Sequence, residues 1–359
     1  MEGLAVKRDF WRGKRVFLTG HTGFKGGWLA LWLTDMGAEV HGYALAPPTD
    51  PALYTVTALR EILATSTIAD IRDVAVLERA IQAARPEIVF HLAAQPLVRH
   101  SYAEPAETYA VNVMGTVNLL EAVHRIGGVK AVVNVTTDKC YENHEWVWPY
   151  RENDPLGGGD PYSSSKACSE LVTAAYRRSF LDTAGIRLAS ARAGNVIGGG
   201  DWAAERLIPD FLRALDARAT LLIRSPEAVR PWQHVLEPLA GYLMLAEKLC
   251  GPGANYAEAW NFGPDEVDAR PVQWIVEYLC SRVPGATWQH DVSPRPHEAH
   301  SLRLDSSKAR AALNWRPRWS LQCALEATLA WHQAWKQGQD MVAMSLLQIH
   351  EYETSGGKE

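Results

Sequence analysis

The chain has 359 residues, 47% of them hydrophobic and 21% charged, a size that suits one large domain or two coupled ones. Its formal net charge of -5 excludes the basic excess that non-specific nucleic-acid binding requires. Five cysteines without a CxxC pair, no leader-like apolar run and no stretch near ~20 apolar residues predict a reduced, soluble, cytoplasmic protein that holds no metal.

Short apolar runs alternate with helical patterns. Strands are expected at Arg15–Thr19, Glu39–Tyr43, Ser66–Asp70, Glu87–Leu92, Lys130–Thr136, Ile186–Arg192 and Ala259–Phe262. The helical patterns between them are clearest at Lys25–Met36, Val74–Ala84, Pro105–Ile126 and Pro161–Leu181. This alternation predicts an α/β fold: a Rossmann-type, doubly wound parallel sheet with a smaller C-terminal substrate-binding lobe. Residues 1–192 are expected to form the dinucleotide-binding domain, with a segment returning to it at about 235–270. Residues 193–234 and 271–340, punctuated by Gly198-Gly199-Gly200 and several prolines, are expected to form the lobe. Residues 341–359 are expected to form a C-terminal tail, whose mostly polar end, Gln348 to Glu359, is expected to fray.

The first strand runs into Gly20-His21-Thr22-Gly23-Phe24-Lys25-Gly26, a GxxGxxG spacing followed by a helix. Gly20 permits a tight turn, Gly23 the close approach of a diphosphate, and Gly26 close packing of helix on strand. The helix N-terminus adds free N–H groups and a favourable dipole. Gly20, His21, Gly23, Phe24, Lys25 and Gly26 are therefore expected to bind a dinucleotide. No acid and no arginine ends the second strand (Gly42-Tyr43-Ala44-Leu45), so nothing is set to pair with a 2′-phosphate and NAD is expected. His21 is bulkier than the small residue usual in such a loop and is expected to weaken binding. Asp70, with Ile71 beside it, is the candidate for the adenine, unless Asp70 only caps the next turn.

Tyr162 and Lys166 lie four apart behind Asp160-Pro161, a good helix start. They share a helix face. A phenol titrates near 10 and is a poor base at neutral pH. A nearby ammonium and a positive nicotinamide would both favour the phenolate, letting Tyr162 take a hydroxyl proton while hydride leaves the same carbon.

The glycine loop, His91-Leu92-Ala93-Ala94, Asn112 with Gly115-Thr116, and Tyr162…Lys166 together resemble the extended short-chain dehydrogenase/reductase superfamily, over about residues 12 to 335. The resemblance implies that Leu92, Ala93 and Ala94 let the cofactor approach the backbone and that Asn112 supports the catalytic helix. Thr136-Thr137-Asp138-Lys139-Cys140-Tyr141 resembles the nucleotide-sugar 4,6-dehydratases, which carry a hydroxyl residue, an aspartate and then a base at this strand end. The Asp-Lys pair, with Trp148-Pro149-Tyr150-Arg151-Glu152 and Pro294-Arg295-Pro296-His297-Glu298-Ala299, is similar to the branch acting on CDP-glucose.

That resemblance implies oxidation at C4 of the sugar, removal of the acidified C5 proton with loss of the C6 hydroxyl, and hydride return to C6. Thr137 would bond the C4 hydroxyl, Asp138 would be the acid, and Lys139, as a neutral amine, the C5 base. Asp138 and Lys139 can line one pocket only if the strand has ended by Asp138. Gln95, Asn195, Arg206, Arg230, Arg295 and His297 are the expected substrate contacts; the resemblance implies that Asn195 meets the diphosphate, and Arg230 is the first and Arg295 the second choice of guanidinium for it. Trp146, Trp148 and Trp202 are candidate pocket walls. An NAD-dependent nucleotide-sugar epimerase or decarboxylase is the first alternative, and the Asp138-Lys139 pair argues against it. A non-catalytic NAD-binding regulator is another, and the intact Tyr-x-x-x-Lys argues against that. A homodimer or higher homo-oligomer is expected through helices 105–126 and 161–181; neither nucleic acid nor membrane is an expected partner.

Overall fold

The computed structural model describes residues 6–251, 254–293 and 301–355. Seven parallel strands form the central sheet: β1 (Arg15–Thr19), β2 (Glu39–Ala44), β3 (Thr65–Ile68), β4 (Ile88–His91), β5 (Ala131–Val135), β6 (Arg187–Ala193) and β7 (Ala259–Phe262). Their order is β7-β6-β5-β4-β1-β2-β3, so the winding reverses between β1 and β4. Ligands bind outside the carboxyl ends of strands at such a switch point. Every residue of β4 and β5 is buried, as parallel strands covered on both faces must be, which is why they read as unbroken apolar runs.

One face of the sheet packs on a cluster containing Trp28, Trp32, Leu236, Leu239 and Leu243. The other packs on Leu77, Ile81, Leu119, Leu120 and Val123. A separate core of Ile208, Phe211, Leu212, Ile223, Ile275, Leu279 and Leu325 lies beyond the sheet. It joins the helices Leu207–Asp216, Val272–Arg282 and Leu321–Lys336.

Two predicted helices carry π turns. The first rod consists of Pro105–Tyr109, the π turn Ala110–Met114 and Gly115–Ile126. The second is Pro161–Tyr176 followed by the π turn Arg177–Leu181.

The expected frayed tail is corrected: Met341–Thr354 is a helix, started by Asp340, which accepts from Val342 N and Ala343 N. Tyr352 is buried and donates to Glu237 Oε2 at 2.8 Å. Arg318 Nη1 donates to the carbonyls of Tyr352, Glu353 and Ser355, satisfying the orphan acceptors of the last turn. Residues 356–359 lie outside the described residues. Among the described residues no helix is long and apolar enough to cross a membrane.

Candidate active site

The glycine loop sits between β1 and the helix Phe24–Asp35. Gly20 has φ +80°, and a Cβ there would lie 2.8 Å from Ala93 N and Leu92 C. A Cβ at Gly26 would lie 2.1 Å from the Gly20 carbonyl oxygen. Both contacts are backbone, so glycine is required. At Gly23, the residue before the first helical turn, a Cβ would meet only Gly20 O, at 3.4 Å. The loop is therefore tight beneath and open above Gly23, which fits a dinucleotide diphosphate at a helix N-terminus.

His21 does not stand in that opening. Its ring is fully buried against Gly42 on β2, where a Cβ would come within 2.5 Å of it. Its Nε2 lies 2.8 Å from Ser66 Oγ, and burial holds its pKa down to about 4, so the ring is neutral. The bulk expected to crowd the cofactor is absorbed by the one strand residue without a side chain.

The ends of β1 and β4 are joined by side chains. Thr19 Oγ1 accepts from Leu92 N and Ala93 N, both at 3.1 Å, and lies 2.8 Å from His91 Nδ1. Thr19 must then donate to His91, which puts the ring proton on Nε2, 3.3 Å from Thr116 Oγ1. Asn112, inside the π turn, accepts from Gln95 N at 2.8 Å and donates to Ser165 Oγ at 2.9 Å and Gln95 O at 3.1 Å. It ties the loop after β4 to the helix that carries Tyr162 and Lys166.

β5 ends at Val135, and Asp138–Cys140 form a 3-10 turn whose N-cap is Thr137. The alternation of a strand has stopped before Asp138, so Asp138 and Lys139 are free to share a side. Thr137 Oγ1 donates to Asp138 Oδ1 at 3.0 Å, and its hydroxyl pulls against the burial that raises Tyr162. Asp138 Oδ2 has no hydrogen-bond partner among the described residues. Burial pushes the Asp138 carboxyl up, against the opposing charges of Lys139, Arg230 and Lys25.

Tyr162 is placed by the start of its helix. Asp160 accepts from Ser163 N at 2.9 Å, and Tyr162 N donates to Ser101 Oγ at 3.1 Å. In the chain without cofactor, burial pushes Tyr162 up to about 12. Lys166 donates to Val135 O at 3.3 Å, and burial brings its ammonium down to about 8. Lys25 reaches the same region from the glycine loop, its Nζ 5.9 Å from the Tyr242 ring. Burial first, then the charges of Arg206 and Lys166, bring it to about 8, although part of its side chain remains accessible.

A buried ion pair missed in the sequence braces this end of the sheet. Glu170 follows Lys166 by one helical turn and accepts from Arg192 Nη2 at 2.8 Å, Ser190 Oγ at 2.6 Å and Thr136 Oγ1. Arg192 Nη1 also donates to Tyr141 Oη at 2.8 Å. Glu170 extends the 162–166 spacing by another four residues, which was the available signal.

Other expected contacts divide. Arg206 pairs with Asp201 at 2.8 Å, and its charge acts on Tyr162 and Lys25; the charge of Arg230 acts on Asp138. Both are brought to the site. The Asn195 backbone carbonyl accepts from Gln233 N at 3.0 Å. Gln95 is corrected: its Nε2 donates to Thr108 Oγ1 at 2.9 Å and Leu97 O at 3.1 Å, and its Oε1 accepts from Leu97 N, so it holds its own loop. The Asp70 carboxylate is clamped by Arg72 Nε and Nη2 and closes a turn on Arg72 N, the capping alternative. Ile71 is buried under Gly115. Trp202 packs edge-on to Trp331 and Trp335, whereas Trp146 stacks on Tyr150 and Trp148 is exposed. Arg295 and His297 lie outside the described residues.

The family model of GDP-mannose 4,6 dehydratase matches residues 17–328. A CDP-glucose 4,6-dehydratase of Salmonella typhimurium is 55% identical over 97% of this chain and 98% of its own. Among solved structures, a dTDP-glucose 4,6-dehydratase double mutant from Streptomyces venezuelae, with NAD bound, is 25% identical at a TM-score of 0.77, covering 91% of this chain and 99% of that one. A likeness that runs the length of the chain and takes in both the glycine loop and the turn after β5 is one of descent: the chain belongs to the GDP-mannose 4,6 dehydratase family, within the extended short-chain dehydrogenases/reductases.

Proposed function

We propose that the chain converts CDP-D-glucose to CDP-4-keto-6-deoxy-D-glucose. The observation that carries this reading is Asp138, a buried carboxyl raised by desolvation and bonded to Thr137, whose hydroxyl acts on Tyr162. Interconverting epimers at C4 needs only the hydroxyl, the tyrosine and the lysine. Expelling the C6 hydroxyl needs an acid, and burial favours the proton-bearing form of the Asp138 carboxyl. The 55% identical relative, named for CDP-glucose, supports the nucleobase.

NAD, held by Gly20, Gly23 and Gly26 with the small residues after β4, supplies the hydride acceptor for C4 and the donor for C6. Tyr162 takes the C4 hydroxyl proton, with Thr137 bonding that hydroxyl and Lys166 supplying positive charge beneath it. Asp138 protonates the departing C6 hydroxyl, and Lys139 removes and restores the C5 proton. Arg206 and Arg230 hold the diphosphate by their planar forks. The exposed Met114, Leu171 and Phe180 on the two long helices support a homodimer through that face. Sedimentation of the Leu171→Glu variant as a monomer is the expected check.

The reading is tested by single turnover with CDP-glucose, following NADH absorbance and product together. Asp138→Asn is expected to form NADH yet release little 4-keto-6-deoxy product, because an amide cannot give up the proton. Lys139→Met is expected to slow exchange of the C5 hydrogen with solvent deuterium. Normal dehydration by both variants would make the pair structural and remove the chemical support for a dehydratase.

A further inference from the structure

In the reaction proposed above, the protons do not end where they began. Tyr162 gains the C4 hydroxyl proton. Asp138 gives a proton to the C6 hydroxyl, which leaves as water. The C5 proton goes to Lys139 and returns to C5, and hydride leaves C4 and returns to C6. The protein neither gains nor loses a proton overall. After one turnover, however, the proton sits on Tyr162 and is missing from Asp138. One proton must cross between them before the next substrate can react.

These two groups are held on either side of a single hydroxyl. Thr137 Oγ1 donates to Asp138 Oδ1 at 3.0 Å, and its hydroxyl also acts on the Tyr162 phenol, favouring the phenolate. A threonine hydroxyl has one hydrogen and two lone pairs, so it donates to one neighbour while accepting from the other. With Asp138 ionised and Tyr162 neutral, the bonds run from Tyr162 to Thr137 to Asp138. If the phenol proton moves to Thr137 Oγ1 as the Thr137 proton moves to Asp138 Oδ1, both bonds reverse. The phenolate then accepts from Thr137, and Asp138 is again an acid.

We propose that Thr137 is a proton relay that resets the site by returning the proton from Tyr162 to Asp138. This role rests on Tyr162 and Asp138 being the base and acid of the reaction, and it goes beyond holding the C4 hydroxyl. Bulk water is a poor substitute route, because Thr137, Asp138 and Tyr162 are 7%, 2% and 8% exposed. The second carboxylate oxygen, Oδ2, makes no competing hydrogen bond among the described residues. The 3-10 turn that begins at Asp138 makes the wire short, since Thr137 and Asp138 are neighbours in sequence.

The NAD-loaded full chain is mixed with excess CDP-glucose, and product per site is followed by rapid quench. Thr137→Val keeps the shape and cuts the wire; Thr137→Ser keeps the hydroxyl. Wild type and Thr137→Ser are expected to give no burst and no response to buffer. Thr137→Val is expected to release about one product per site and then slow at least ten-fold, and its steady rate should rise with added formic acid at constant pH. A Thr137→Val steady rate equal to its own first turnover and indifferent to formic acid overturns the relay. Should valine abolish the first turnover, Thr137→Ala is put through the same two measurements, and the same results support or overturn the relay. If wild type itself forms no 4-keto product, the parent reading fails rather than the relay.

Discussion

Alanine at Gly23 and at Gly26 separates cofactor binding from folding. At Gly26 the added methyl would lie 2.1 Å from the Gly20 carbonyl oxygen and 2.7 Å from its carbon. Carbon–oxygen contacts sit at about 3.3 Å or more, so the loop or the helix must move by more than about 1 Å. Overpacking of this kind costs about 1–3 kcal/mol, and alanine's helix preference over glycine returns about 1 kcal/mol. Gly26→Ala is therefore expected to lower Tm by a few degrees. At Gly23 the same methyl meets only Gly20 O, at 3.4 Å, an ordinary contact. Gly23→Ala is expected to keep the wild-type Tm without cofactor, yet to raise the NAD Kd ten-fold or more, about 1.4 kcal/mol, because the methyl fills the open side of the loop. Calorimetric titration with NAD and thermal unfolding of cofactor-stripped protein provide both numbers. Wild-type NAD affinity in Gly23→Ala would refute the placement of the diphosphate. A Gly26→Ala chain that matches wild type in both would refute the packing argument.

Tyr162→Phe keeps the ring and loses the titrating oxygen, so C4 oxidation is expected to fall by about 10²–10⁴-fold while Tm and nucleotide binding stay; wild-type NADH formation would exclude Tyr162 as the base. Glu170→Gln strands the Arg192 guanidinium, whose side chain is 4% exposed, and is expected to cost about 3–5 kcal/mol in urea unfolding, with part recovered in Glu170→Gln/Arg192→Met. A loss below about 1 kcal/mol would place the pair with exposed salt bridges. Burial raises Glu237 to about 7, above its unfolded value near 4.3, so the folded chain binds more protons between those pH values. Its contribution is complete below about pH 4 and is lost as pH rises to about 7, by on the order of 3 kcal/mol. Glu237→Gln should flatten that fall; identical pH–stability profiles would disprove it.

The sheet was legible because short, largely buried strands alternate with helical patterns, and all seven expected strands agree with the structure to within two residues at either end. Tyr162 and Lys166 were legible because i and i+4 share a helix face and Asp160-Pro161 marks the start. That Asp138–Cys140 form a 3-10 turn capped by Thr137 was not, since three residues are too few to show a helical period. The helix Met341–Thr354 was misread because its polar residues find partners elsewhere in the fold: Tyr352 on Glu237, Glu353 on Trp32 and Arg8. The hydrogen bonds of the Gln95 amide to Thr108 and Leu97 were not legible for the same reason.

The π turn at Ala110–Met114 constrains how the chain can change in length. A π turn is an α-helix carrying one surplus residue. Asn112 within it holds Gln95 and Ser165, while Thr116 just after it meets His91 and Ser169. Adding or removing one residue between these two anchor points while the π turn persists would swing the C-terminal part by on the order of 100° about the axis. Either the Asn112 contacts or the Thr116 contacts would then point away from the sheet. Single-residue insertions and deletions should thus be purged from 105–126, while the exposed turn at Gly127-Gly128, where an added Cβ would meet nothing within 4 Å, can absorb them.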